Sequence, residues 1–179
     1  MPADDRELIA ALRDDLDRGF SRLMVRYAEP VYWHVRRLVV DHADAEDAVQ
    51  ETFVRVYRSF SRFRGDTSLA VWIYRIATRE ALRCIAQRGG APCSLDAPGT
   101  HAAAVPADAE VDYTDVEAVC LQRAIRALPA RQQLVFTLRY YDELDYEEIA
   151  RITDSNAAAA KASFHVAKEK IKKWLIENS

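Results

Sequence analysis

Apolar residues recur at helical spacing through almost all of this chain, and the pattern stops for one long stretch. That stretch, GGAPCSLDAPGTHAAAVPADAEVD at residues 89–112, holds three prolines and three glycines and no periodic apolar face. A segment of this composition neither continues a helix nor contributes a packing surface, so it reads as a flexible linker. Before it, Leu8, Ala11, Leu12 and Leu16 follow one another at helical intervals, as do Val31, Val35, Leu38 and Val39 after Pro30, which is expected in a first helical turn. Strand-like alternation is absent, and five glycines in 179 residues leave few places for hairpins. The expectation is an all-α chain: two small helical domains, residues 1–88 and 113–179, joined by the linker 89–112. Either half is long enough to bury a core.

Several function classes are disfavoured at once. The opening MPADDRELIAALRDDLDRG is broken by acids and arginines, unlike a signal peptide. No run of about eighteen apolar residues occurs, so membrane insertion is not expected and a cytoplasmic location is. Cys84, Cys93 and Cys120 have no C-x-x-C spacing and are odd in number, which argues for ordinary thiols over a disulfide framework. His34, His42, His101 and His165 are scattered, so no metal site is expected. No set of nucleophile, base and metal ligand suggests an enzyme, and no cofactor is implied.

Charge comes in blocks that the net value of −3 conceals. Asp41 to Glu51 carries five acids and no base, whereas Arg55 to Arg88 carries eight bases and two acids. Residues 91–117 hold six acids and no base, residues 142–148 hold five acids, and residues 161–179 hold five lysines against two glutamates. A nucleic-acid binder working alone would show an overall basic excess, because phosphate neutralisation supplies most non-specific affinity. Two basic surfaces beside acidic ones point instead to two DNA contacts plus protein partners that receive acid.

Three constellations carry that reading. Between Asp41 and Phe60, the residues Val49, Phe53, Val56, Tyr57 and Phe60 form an apolar stripe, while Asp44, Asp47, Glu51, Arg55 and Arg58 mark another face. A dipole-matched helix with a Glu51–Arg55 pair accounts for those charges by itself; the functional reading is a docking face. From Ser59 to Arg83, a break at Gly65 and Asp66 with Thr67 or Ser68 as N-cap leads into a helix carrying Arg75, Arg79 and Arg83 four residues apart. Aromatics interleave with these bases, as unpaired nucleotides require, although Trp72 with Leu69, Ile73 and Ile76 reads as core. Third, a helix from Pro129 to about Tyr141, a short one at Tyr146–Ile152, a turn at Asp154–Asn156 and a long helix from Ala157 to Trp174 give a helix-turn-helix layout. Ile149 and Ala150 are expected against Ala160, Phe164, Ala167 and Ile171. Lys161, His165, Lys168 and Lys172 then form a basic side next to the buried one, and small alanines at 157–160 allow close approach to a groove.

Five motifs stand in register: D-A-E-D-A-V-Q-E-T-F at Asp44 to Phe53, F-R-G-D at Phe63 to Asp66, W-I-Y-R-I-A at Trp72 to Ala77, A-L-P-A-R-Q at Ala127 to Gln132, and D-Y-E-E-I-A-R-I ahead of A-K-A-S-F-H-V-A-K. Together they resemble the extracytoplasmic-function sigma factors of bacterial RNA polymerase, over about Leu16 to Leu175. The resemblance implies a promoter-specific initiation factor whose first domain grips the clamp helices and melts a proximal promoter element. Its second domain reads a distal element as duplex and meets the flap. An anti-sigma factor is the implied regulatory partner. Carried over residue by residue, Asp44, Asp47, Gln50 and Glu51 face the polymerase. Arg62, Phe63, Arg64, Gly65, Asp66, Thr67 and Ser68, with Arg75 and Arg79, meet the melted strand. Asn156, Ala157, Ala158, Lys161, Ala162, His165 and Lys168 enter the distal element. The chain departs from the family at Arg79 and Arg83, where Asn and Asp are frequent, and at Ser163 and Val166, where Arg is common. Fewer bidentate donors mean less direct guanine readout, each such pair being worth about 1–3 kcal/mol.

A single helix-turn-helix module covers only about 600–1,000 Å² of DNA, and tight operator binding usually needs a dimer. Tethering to polymerase would make two weak contacts intramolecular. A linker of this length reaches roughly 80 Å extended and about 27 Å as a coil, against about 70 Å for two elements two helical turns apart. The halves are therefore expected to separate on the enzyme and, without it, to collapse together or onto an inhibitor. Two other readings stay open at this point: a stand-alone helix-turn-helix regulator, and a sigma-mimicking protein that sequesters an anti-sigma factor without touching DNA.

Overall fold

The computed structural model describes residues 3–39, 41–89 and 116–178, and those residues are helical almost throughout. Residues 90–115 lie outside the described residues, and with them nearly all of the expected linker, Cys93 and His101.

Four helices form the first group: α1 (Ala3–Asp14), α2 (Leu16–Leu38), α3 (His42–Ser59) and α4 (Leu69–Gly89), with a single 3₁₀ turn at Phe60–Arg62. Asp15 caps α2 by accepting from the Arg18 amide, so Leu16 begins a second helix and does not continue the first. The two helices touch at Gly19, where a Cβ would stand 2.5 Å from the Leu12 Cα. Pro30, expected at a helix start, lies inside α2. Its missing amide proton removes one backbone bond on the exposed side, while Leu23, Tyr27, Val31, His34, Val35 and Leu38 bury a continuous stripe on the other. Burial of that stripe outweighs an interior proline cost of about 3 kcal/mol. Along α3, Phe53, Val56 and Phe60 are buried as expected and Val49 is half-buried, but Tyr57 is exposed and its hydroxyl donates to Asp17 at 2.6 Å.

The second group comprises α5 (Val116–Arg126), α6 (Ala130–Tyr140), α7 (Tyr146–Ile152) and α8 (Ala157–Glu177). Pro129 caps α6 from outside, and α7 spans the residues its sequence pattern predicts. The α7 N-terminus is a reciprocal capping box: Asp145 accepts from the Glu148 amide at 2.7 Å and Glu148 accepts from the Asp145 amide at 3.0 Å. Asn156 caps α8 by accepting from the Ala159 amide at 2.8 Å. Ile149 packs with Ala160 in one core, but Ala167 and Ile171, expected against α7, belong to a separate cluster with Ala124, Ile125, Leu128 and Phe136. The physical reason is length: α7 has seven residues and, at 1.5 Å rise per residue, flanks only the first turns of α8.

The two groups are packed together. Leu134, Val135, Leu138, Leu144, Ile149 and Ile152 join the same hydrophobic cluster as the core of α1–α4.

Candidate nucleic-acid interface

On α3 the acids follow Asp41, whose side chain accepts from the Asp44 amide at 3.1 Å. Asp47 and Gln50 are exposed, and Asp44 and Glu51 are half-buried. Glu51 Oε1 accepts from Arg55 Nε at 3.1 Å, the predicted helix pair, but the same Arg55 Nε reaches Glu80 Oε1 at 2.8 Å. The other oxygen of Glu80 accepts from Arg83 Nε at 2.8 Å. Glu80 is buried, so one carboxylate fixes a basic side chain of α3 and one of α4 in relation to each other. Of this acidic face, Asp47 and Gln50 point fully outward and Asp44 and Glu51 only in part, while the neighbouring bases are held in place.

The connection between the 3₁₀ turn and α4 turns at Gly65, whose φ of +79° lies in the left-handed region that glycine adopts without steric cost. Ser68 is the N-cap of α4, accepting from the Val71 amide at 3.2 Å. Arg62, Arg64, Gly65 and Asp66 are exposed, and Thr67 and Ser68 are half-buried. Phe63 is turned inward, stacked on Phe60 at 6.0 Å and tilted against Trp72 at 5.1 Å, so it braces the loop from beneath. From α4, Arg75 and Arg79 emerge on the same side, one turn apart.

On α8, Asn156, Ala158, Lys161, Ala162, His165 and Lys168 are exposed, and Ala157 is half-buried. Val166 also faces outward, and Ser163 is half-buried. The lysines therefore form a cationic strip beside the Ala160–Ala167–Ile171 seam, with alanines at the entering end where backbone can approach another surface closely.

The sites on α4 and on α7–α8 do not stand apart: the halves, expected to collapse together without the enzyme, are packed, through side-chain pairs that the sequence did not reveal. Asp154, in the turn before α8, has φ +50° and accepts from Arg75 Nη2 with one oxygen and from Arg79 Nη2 at 3.4 Å with the other. Ser68 Oγ donates to Glu148 Oε1 at 3.5 Å, across a cleft of about 330 Å³ between the Gly65–Ser68 loop and α7. Deeper in, the Asp142 carboxylate accepts from His34 Nδ1 at 2.7 Å and from Arg37 Nη1 at 3.5 Å, and His34 Nε2 pairs with Thr78 Oγ1 at 2.9 Å. Arg37 also lies over the Tyr141 ring at 4.2 Å, and Gln133 Nε2 donates to the Arg37 carbonyl at 3.3 Å. Burial pushes the Tyr74 hydroxyl, beside His34, well above its ordinary value, with the Asp142 charge adding to the shift. Sequence reasoning left His34 as one of four scattered histidines and Asp142 as one acid in a block. The partners are 108 residues apart, and no local period connects them.

Among the described residues, no group of side chains could hold a metal ion, and no helix is long and apolar enough to cross a membrane.

Comparison with known proteins follows the same outline. A family model described as Sigma-70 region 2 matches residues 23–90, and one described as Sigma-70, region 4 matches residues 118–171. The chain is 31% identical over 176 residues to the ECF RNA polymerase sigma-E factor of Escherichia coli, covering 93% of this chain and 92% of that one. To the RNA polymerase sigma-H factor of Pseudomonas aeruginosa it is 29% identical over 180 residues, covering 96% and 93%. Among solved structures, its fold is similar to that of CnrH in complex with the cytosolic domain of CnrY, with TM-score 0.75, 19% identity and coverage of 98% and 99%. It is similar as well to the sigma factor RpoE in complex with the anti-sigma factor NepR from Bartonella quintana, with TM-score 0.70, 21% identity and coverage of 87% and 96%.

Proposed function

Because the chain belongs to the extracytoplasmic-function sigma factors, which direct bacterial RNA polymerase to promoters, we propose a division of that task between residues 1–88 and residues 113–179, with 89–112 as the tether. The acids Asp44, Asp47 and Glu51, with Gln50, dock on the clamp helices of the core enzyme. The loop Arg62 to Ser68 and the side of α4 bearing Arg75 and Arg79 hold the melted strand of the proximal element. The α8 strip of Lys161, His165 and Lys168, entered through Asn156, Ala157, Ala158 and Ala162, lies in the major groove of the distal element, while the α5–α8 half also meets the flap. The protein acts in the cytoplasm, where polymerase and promoter are, and performs no chemistry of its own.

The observation that carries this reading is the placement of an acidic face and two basic faces on three different helices, each facing outward from its own helix. A phosphate-binding surface needs unpaired or exchangeable cations, and both basic faces supply them. The fold neighbours described above are each held by a partner, CnrY in one case and the anti-sigma factor NepR in the other. By the same reading this chain is regulated by an anti-sigma factor.

Run-off transcription with purified core polymerase tests the roles. Asp47→Lys and Glu51→Lys should abolish output by weakening core binding in a pull-down. Lys161→Ala should leave core binding intact and lower output through loss of distal-element protection. The reverse assignment would refute the division.

A further inference from the structure

One buried carboxylate, Glu80, holds two half-exposed guanidiniums side by side at the border of α3 and α4. It is 4% exposed; its Oε1 meets Arg55 Nε at 2.8 Å and its Oε2 accepts from Arg83 Nε at 2.8 Å. Each arginine is held through Nε and stays 49% exposed, so its outer edge remains open to a further acceptor. Glu51 shares Arg55 at 3.1 Å, whereas Glu80 is the acid paired with Arg83 among the described residues. Anchoring on a buried acceptor fixes the fork of a guanidinium before a ligand arrives, which suits the geometry of a phosphate. At 3.6 residues per turn, Arg75, Arg79 and Arg83 drift by only about 80° around α4 and climb it in steps of about 6 Å. Arg83 therefore continues the row of bases assigned to the melted strand, and Glu80 points about 60° further round, towards α3. The acids Asp44, Asp47 and Glu51 select a basic partner, which two guanidiniums would repel; the complementary occupant of this pair is an anion. Arginine stands at position 83 where the family frequently has Asp, so the extended row is particular to this chain.

We propose that Arg83 and Arg55, oriented by Glu80, take a backbone phosphate of the promoter one turn of α4 beyond Arg79, at the edge of the melted segment. Glu80 is the positioning residue of this contact: it touches no DNA and sets the direction in which both guanidiniums face. A phosphate contact carries no sequence information but fixes the register of the strand on the helix. The chain gains by it where its distal helix is poor, since Ser163 and Val166 stand there in place of arginines that would read guanine. A fixed contact in the proximal half offsets the affinity lost in the distal one. The inference rests on the strand-binding reading of Arg75 and Arg79.

The test uses reconstituted holoenzyme and a synthetic promoter duplex that the parent opens, with the phosphates of each strand neutralised one at a time as methylphosphonates. The parent should lose about tenfold in affinity at one phosphate adjoining those mapped to Arg75 and Arg79. Arg83→Ala should be weaker by the same factor on unmodified duplex and indifferent to that one neutralisation, and Arg55→Ala should map to the same phosphate. For Arg83→Ala the fall of log affinity with log salt should be shallower by about 0.7–0.9. Glu80→Gln removes a negative charge, so charge alone would tighten DNA binding; positioning requires binding weaker by about threefold, and Arg83→Lys, which keeps the charge without the fork, should weaken likewise. Arg83 is exposed, so its variants fold and its phosphate map decides even where Glu80→Gln does not fold. Tighter binding by Glu80→Gln would overturn the positioning role. If Arg83→Ala responds to every neutralised phosphate as the parent does, loses core polymerase in a pull-down, or alters base preference at one position, the proposed phosphate contact is wrong. The strand-binding role then stands provided that Arg75→Ala and Arg79→Ala still erase phosphates of their own; if they erase none, that role is wrong and the inference falls with it.

Discussion

Replacing Asp142 by alanine probes the most deeply buried polar contact between the two packed helical groups. Its two oxygens accept from His34 Nδ1 at 2.7 Å and Arg37 Nη1 at 3.5 Å, in a position where neither Asp142 nor His34 can turn to water. Breaking a buried ionic contact by removing one partner costs about 3–5 kcal/mol, because the remaining group is left desolvated. Arg37 is 26% exposed and recovers some hydration, so the lower end, about 3 kcal/mol, is expected. His34→Ala removes the same bond together with the Thr78 bond and should cost about as much. Since both variants delete one shared interaction, the double variant should cost less than the sum by about 1.5–3 kcal/mol. Urea unfolding of the full chain at pH 7, followed by circular dichroism, reads this directly. With a slope of about 2 kcal/mol/M, each single variant should lower the midpoint by about 1.5 M. Losses that add to within about 0.5 kcal/mol would show that the two side chains act independently, and the reasoning about this buried contact would be refuted.

Two glycines should respond differently to alanine. At Gly19 the new methyl would lie 2.5 Å from the Leu12 Cα and 2.6 Å from its amide nitrogen, backbone atoms that cannot swing aside, so a loss of about 2–3 kcal/mol and a thermal midpoint several degrees lower are expected. At Gly65 nothing lies within 4 Å, and the positive φ alone sets the cost, about 1 kcal/mol; equal effects at the two sites would contradict this. Alkaline pH should also unfold the protein early. Burial and the neighbouring Asp5 carboxylate raise the Tyr27 hydroxyl to about 12, and burial raises Tyr74 and Tyr141. A raised tyrosine favours the protonated fold, so its contribution is whole below pH 10 and is lost as pH climbs from 10 towards 12, with a slope of up to about 1.4 kcal/mol per pH unit and group. A thermal midpoint that stays level between pH 9 and 11.5 would show that these hydroxyls are not buried as described.

Local periodicity made much of the fold legible. The span of α7, the Ser68 cap and the Glu51–Arg55 pair all follow from residues within one or two turns of each other. Where packing overrode local preference, the sequence misled. Pro30 reads as a helix start because its own ring favours that position, yet the buried stripe on both sides of it carries α2 straight through. Tyr57 reads as core by spacing, yet its hydroxyl finds Asp17 at the surface. The sites show the same division. Exposed bases on α4 and α8 can be seen in a linear text, because charge and helical register are local properties. The Glu80 clamp on Arg55 and Arg83, the inward turn of Phe63 and the pairing of His34 with Asp142 depend on which helices are neighbours. A carboxylate such as Asp154, which faces the first half from a turn in the second, looks in the sequence like an ordinary turn residue.

Protection of a promoter duplex by the free chain and by the reconstituted holoenzyme, at the same salt concentration, tests the central claim most directly. The account predicts that micromolar free chain protects neither element, whereas the holoenzyme protects two regions about two helical turns apart and loses both when the spacing between them is changed by half a turn. Tight protection of a single site by the free chain, unaltered by adding polymerase, would contradict it.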